Sequence, residues 1–330
     1  MPTLGSHALM EDHGITTDSG SSRSPAALLA LVVGLPLFAI LAAFPIASTA
    51  FFQKYCDKTN MQRLTSPFMT GHRRCDVVIY GDSTAQVGLD PVAITQETHL
   101  TTCNVSVTFP TVSVLGMDPL ERFLATGLHP RYLVLSFAPG NFVPPQPSQG
   151  GLAWDGLILG SRIGEWRPVL RAMFQNPDRI LAVINYVYLG GSMALAESVR
   201  HHHGLRPLSE AEGTHFTIPT GPLTSCVATR ASRFLPDKVY IDSLRTRFAA
   251  RADHLILNVS PTSPCIDLFP QWSMALAHTT DDGLAAYSLN LFADDYYHLT
   301  GEGAARYSEM VAKQILSTAS GDVATSSKVP

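Results

Sequence analysis

Hydrophobic residues in this chain fall into one long unbroken run and, further along, several short β-branched bursts separated by polar, glycine-punctuated stretches. The long run, PAALLALVVGLPLFAILAAFPIASTAFF from Pro25 to Phe52, lies within thirty consecutive residues, Ser24 to Gln53, that carry no charge. About 20 apolar helical residues cross the ~30 Å hydrocarbon layer of a bilayer, so the run predicts a membrane-crossing helix over 25–52. Pro36 and Pro45 are expected to kink it. Two fates stay open: Ser48-Thr49-Ala50 has the small residues of a signal-peptidase site, whereas the length of the run favours a retained anchor. Residues 1–24 read as a flexible tail and 53–74 as a polar stem.

The short bursts predict a sheet. Residues 75–81 (CDVVIYG), Asn104 to Phe109, Tyr132 to Phe137 and His254 to Pro261 have the apolar, β-branched character of strands covered on both faces. Helical stretches are expected over Pro119–Gly127, Pro236–Arg251 and Thr300–Leu316. Strands and helices alternating in this way imply an α/β domain over 75–317, a three-layer α/β/α sandwich around a parallel sheet. Residues 143–230 interrupt the rhythm and read as an insertion, with a helix near Asp178–Val199. Residues 318–330 are small and polar and read as a second flexible tail.

Composition narrows the class. Of 330 residues 15% are charged, against roughly 25% in ordinary soluble domains. With the thirty uncharged residues set aside, 50 of the remaining 300 are charged, about 17%, so a buried sheet must account for part of the deficit. Such a composition excludes a disordered chain, and a net charge of −4 excludes a general nucleic-acid binder. Only Arg23 and the amino terminus bring positive charge before the apolar run while Lys54, Lys58 and Arg63 follow it, an asymmetry that by itself points the large domain to the cytoplasm. The five cysteines lack zinc-ligand spacing. Cys75–Cys103 and Cys226–Cys265 are feasible disulfides, and five reduced thiols are the equal alternative.

Candidate chemistry sits where the strands end, the place at which open α/β sheets hold their working residues. The first strand ends at Gly81-Asp82-Ser83 and the third at Gly140-Asn141. A late loop carries Asp294-Asp295-Tyr-Tyr-His298 ahead of the last helix. A serine in a strand-to-helix turn exposes its hydroxyl. A histidine three residues after an aspartate offers Nε2 to that serine while the carboxylate orients Nδ1. An asparagine amide at a neighbouring strand end suits a developing oxyanion. Ser83 as a helix-capping serine, His298 as a surface loop histidine and Asn141 as a turn cap are the bland alternatives. Asp82 reads as a turn support. His201-His202-His203 reads as solvated loop rather than metal site, and the sequons at Asn104 and Asn258 fall in buried strands. Trp154, Trp166 and Trp272 read as core residues before sugar-stacking ones.

Together these residues resemble the SGNH (GDSL-type) hydrolases. Gly81-Asp82-Ser83 matches the first block with its nucleophilic serine, Gly140-Asn141 the third, and Asp295-Tyr-Tyr-His298 followed by Leu-Thr-Gly-Glu-Gly-Ala the fifth. The second block, which supplies a glycine N–H to the oxyanion hole, has Gly116 as its nearest equivalent. The resemblance implies a flavodoxin-like fold, a triad of Ser83, Asp295 and His298, oxyanion or substrate contacts from Asn141 and Gly116, and no cofactor or metal. The N-terminal span makes the chain similar to envelope-anchored members that assist O-acetylation of alginate and other exopolysaccharides or D-alanylation of teichoic acids, and to members found beside cellulose synthases. That likeness implies a bacterial inner-membrane esterase or O-acyltransferase with its domain in the periplasm. It further implies a polysaccharide substrate and a membrane-bound O-acyltransferase or polysaccharide synthase complex as partner. A non-catalytic accessory protein of such a complex is the rival expectation.

Overall fold

A computed structural model describes residues 25–56, 61, 64–65, 67–68, 74–125, 127–145, 154–193, 214–215, 222–226, 234–277, 279–281, 283–293 and 296–326. The chain divides into two units, 1–41 and 42–330. One helix, Pro25–Ser48, runs unbroken through Pro36 and Pro45, and its stretch Leu29–Ser48 is long and apolar enough to cross a membrane. Leu29, Val32, Val33, Leu35, Phe38 and Leu41 are each more than half exposed. The helix stops short of Phe52 because Thr49 is extended and caps a new helix, Ala50–Tyr55, its hydroxyl accepting from the Phe52 N–H at 3.2 Å.

In the second unit four strands form one parallel sheet in the order β2-β1-β3-β4: β1 Val77–Gly81, β2 Thr102–Asn104, β3 Tyr132–Phe137 and β4 His254–Val259. Every β1 and β3 residue is buried, which is why both strands read as continuous apolar runs. Period-two alternation sends Val77 and Ile79 to one core, with Tyr132, Val134, Tyr307 and Val311. Val78 and Tyr80 go to the other, with Leu133, Leu135, Leu257 and Phe248. The Tyr80 hydroxyl donates to the Gly116 carbonyl at 2.6 Å, and burial pushes its phenol pKa well up.

Several expectations need correction. Strand β2 ends at Asn104, and Phe109 opens a helix, Phe109–Leu115, with Thr108 as its cap and Pro110 in its first turn. The stem is not simply polar: Met61, Leu64 and Phe68 are buried, and Phe68 meets Phe123 edge-on at 6.3 Å. The last helix, Gly301–Ser326, extends well beyond Leu316, so 318–326 is helical rather than a frayed tail. The insertion is largely helical in its first half: Trp154–Ile163, Trp166–Gln175, Asp178–Ile184 and a π-helical turn, Asn185–Gly190. His201 to His203 lie outside the described residues.

Cys75 pairs with Cys103, fastening the starts of β1 and β2, and Cys226 pairs with Cys265; Cys56 is buried and belongs to neither disulfide. Asn104 and Asn258 are fully buried in their strands, out of reach of glycosylation.

Candidate active site

After β1 the chain pairs β2 on one side and then crosses to β3 on the other, so strand order reverses between β1 and β3. A crevice opens at the carboxyl ends of strands at such a reversal. A cavity of about 290 Å³ occupies this place, lined by Ser83 and Thr84 after β1, by Ala138, Gly140 and Asn141 after β3, and by His298 from the late loop. Phe109, Trp272 and Tyr297 complete its wall.

Gly81 is required where β1 meets this site. It pairs with Ser136 of β3, and a Cβ on it would fall 1.6 Å from the Ser136 carbonyl oxygen. The next residue, Asp82, is fully buried and caps the helix Ser83–Gly88. Its Oδ1 accepts from the Thr84 N–H at 2.9 Å and the Thr84 hydroxyl at 2.6 Å. Its Oδ2 accepts from the Ala138 N–H at 2.8 Å and from Asn141 Nδ2 at 2.6 Å. One carboxylate therefore binds the end of β1 to the end of β3 and fixes the Asn141 amide. Because Asp82 is the cap, Ser83 is the first helical residue and is not needed for capping.

His298 is held by its backbone. Phe292 and Leu299 form an antiparallel bridge, and the Ala293 N–H donates to the His298 carbonyl at 2.8 Å. Tyr296, in the same tight loop, has φ +65°, a left-handed conformation rare for an aromatic residue. Gly303 lets the last helix press against the loop: a Cβ there would approach the Leu291 carbonyl oxygen to 2.3 Å. Asp295, the expected triad carboxylate, and Asp294 beside it lie outside the described residues.

The structure thus brings Ser83, Asn141 and His298 to one cavity and leaves Gly116 out of the residues that line it. Gly116 ends the helix Phe109–Leu115 at φ +58°, with a Pro145 side-chain carbon 2.7 Å from where a Cβ would stand. Of the tryptophans, Trp272 lines the cavity, its Nε1 donating to the Phe234 carbonyl at 2.9 Å. Trp154 stacks on Tyr186 at 4.2 Å.

Phe109 and Tyr297 escaped the sequence reading. The signal for Phe109 was Thr108-Phe-Pro, a helix start directly after β2. Asp155, in the insertion, accepts from the Thr108 hydroxyl, so the insertion is tied to the cavity wall at that helix start. Burial raises the Asp155 carboxyl pKa. Among the described residues no three His, Cys, Asp or Glu side chains gather as a metal site requires. Comparison of the chain with protein-family models, with curated proteins and with solved structures finds no match.

Proposed function

We propose that this protein is a membrane-anchored serine esterase or O-acyltransferase, related to the SGNH hydrolases, that acts on an extracytoplasmic polysaccharide. The observation that carries the reading is the meeting of Ser83, Asn141 and His298 on one cavity at the β1/β3 reversal. A three-layer, flavodoxin-like arrangement accords with a parallel sheet whose two faces each bear a buried core.

In this mechanism His298 takes the Ser83 proton as the hydroxyl attacks an acyl ester, with Asp295 steadying the imidazole. The Ser83 N–H and the Asn141 amide hold the oxyanion. His298 then returns its proton to the departing alcohol, leaving an acyl-serine. Water releases the acyl group as an acid; a sugar hydroxyl instead receives it as an ester. A cavity of about 290 Å³ walled by Phe109, Trp272 and Tyr297 suits a short acyl group such as acetyl. Two disulfides suit an oxidising compartment, which supports a periplasmic domain anchored in the inner membrane against the charge asymmetry around the span. The polysaccharide and a membrane-bound O-acyltransferase or synthase complex are the partners this reading implies.

The accessory reading, in which the fold holds glycan or partner without turnover, gains from the position of Gly116 away from the cavity lining. A fluorophosphonate probe separates the two. The first reading predicts a covalent adduct that maps to the Ser83 peptide and is blocked by His298→Ala; an unlabelled, folded protein supports the accessory role.

A further inference from the structure

We propose that the helix Trp166–Gln175 lies in the bilayer interface beside the anchor, giving the molecule a second, peripheral contact with phospholipid. The inference rests on the reading of Pro25–Ser48 as a retained membrane helix. Inward, Trp166–Gln175 buries Val169 and Ala172 completely. Outward, where a surface helix of a soluble protein carries polar residues, it presents Trp166, Leu170 and Phe174 at successive i, i+4 positions. They are 44%, 46% and 85% exposed. Arg167 and Arg171, also exposed, flank this stripe along its length. An apolar stripe with an aromatic at each end and arginines at its border is the composition of a helix lying in a membrane surface.

The depth of the helix is fixed by what it touches. The Trp166 ring packs edge-on against Phe44 at 5.8 Å. Just before it, Arg162 donates to the Ala47 carbonyl through Nε at 3.1 Å and Nη2 at 2.6 Å. Phe44 lies four residues before Ser48, where the apolar helix ends, a distance of about 6 Å at 1.5 Å per residue. Trp166 is therefore level with the last turn of the span, the depth at which tryptophan concentrates and arginine reaches out to headgroups. The elements that follow also expose large apolar side chains, with Leu181 64%, Leu189 60% and Met193 73% exposed. Continuity with the end of the membrane span and the flanking arginines favour lipid over a second copy of the chain as the occupant.

Full-length protein in phosphatidylcholine–phosphatidylglycerol vesicles tests this with acyl-chain-brominated lipids, which quench tryptophans they touch. Wild-type emission should contain a component quenched by lipids brominated near the headgroup, and Trp166→Phe should lose it. Phe174→Trp in the Trp166→Phe background should restore a blue-shifted, quenchable signal. Phe38→Trp, within the span, reports the anchor independently and should be quenched most by deeply brominated lipids. If Phe38→Trp is quenched while Trp166 and Phe174→Trp are not, the proposal is overturned and the anchor stands; a second copy covering the stripe would give this result. If Phe38→Trp is not quenched, the anchor reading fails and the proposal falls with it.

Discussion

Asp82 concentrates more of the site's order than any other residue beside the cavity. Four donors from three places in the chain converge on its buried carboxylate, and an amide in its place offers only one acceptor oxygen. Asp82→Asn should therefore lower stability by about 3 kcal/mol, the scale of hydrogen bonds to a charged group, seen as a fall in thermal midpoint. Asn141→Ala acts downstream of that carboxylate. If the amide stabilises an oxyanion, its loss should cut kcat about 10²- to 10³-fold with KM little changed, and an unchanged kcat would remove Asn141 from that role. Gly81→Ala drives a methyl group into the Ser136 carbonyl and should destabilise by about 3 kcal/mol or prevent folding, measured by denaturant titration. Gly81-Asp82-Ser83 and Gly140-Asn141 were legible in the sequence because small and polar residues cut off apolar runs abruptly. Tyr297 was not, since only tertiary packing makes it a wall rather than a spacer in the loop before His298.

At the scale of elements, uniform burial made the strands readable and local capping defeated the boundaries. Strand β3 occupies the expected Tyr132–Phe137 because all six residues are buried. Strand β2 was expected from Asn104 onward, yet Thr108 and Pro110 start a helix there and the strand lies earlier. The helix Ser83–Gly88 begins two residues past β1, so the strand-to-helix turn at Ser83 marks its start while its six-residue length is too short for a periodic pattern to mark its end. Between elements, Arg247 of the helix Lys238–Phe248 bonds Glu121 at 2.7 Å, joining it to the helix Asp118–Leu124. That bond holds the Glu121 carboxyl below its usual pKa. A depressed folded-state pKa adds stability above the unfolded value, 4.5, that is lost as pH falls through the folded value. Glu121→Gln should flatten this acid limb by less than about 1 kcal/mol, given the exposure of the pair, as read by denaturation at stepped pH.

Across the whole molecule, the apolar run and the low charge have separate structural counterparts: a lipid-competent helix and a sheet covered on both faces. The two disulfides belong to the second unit, and Cys75–Cys103 closes a loop of 28 residues. Replacing both cysteines by alanine should cost about 3–4 kcal/mol by the loop-entropy argument, and reducing agent should lower the thermal midpoint of wild-type protein in the same direction. The central claim, that the cavity at the β1/β3 reversal is an acyl-transfer site, is tested most directly by Ser83→Ala. Full-length wild-type protein in detergent is predicted to hydrolyse p-nitrophenyl acetate, and the equally folded variant to lose at least about 10³-fold in kcat. Equal turnover by the two proteins, or none by the wild type, would contradict it.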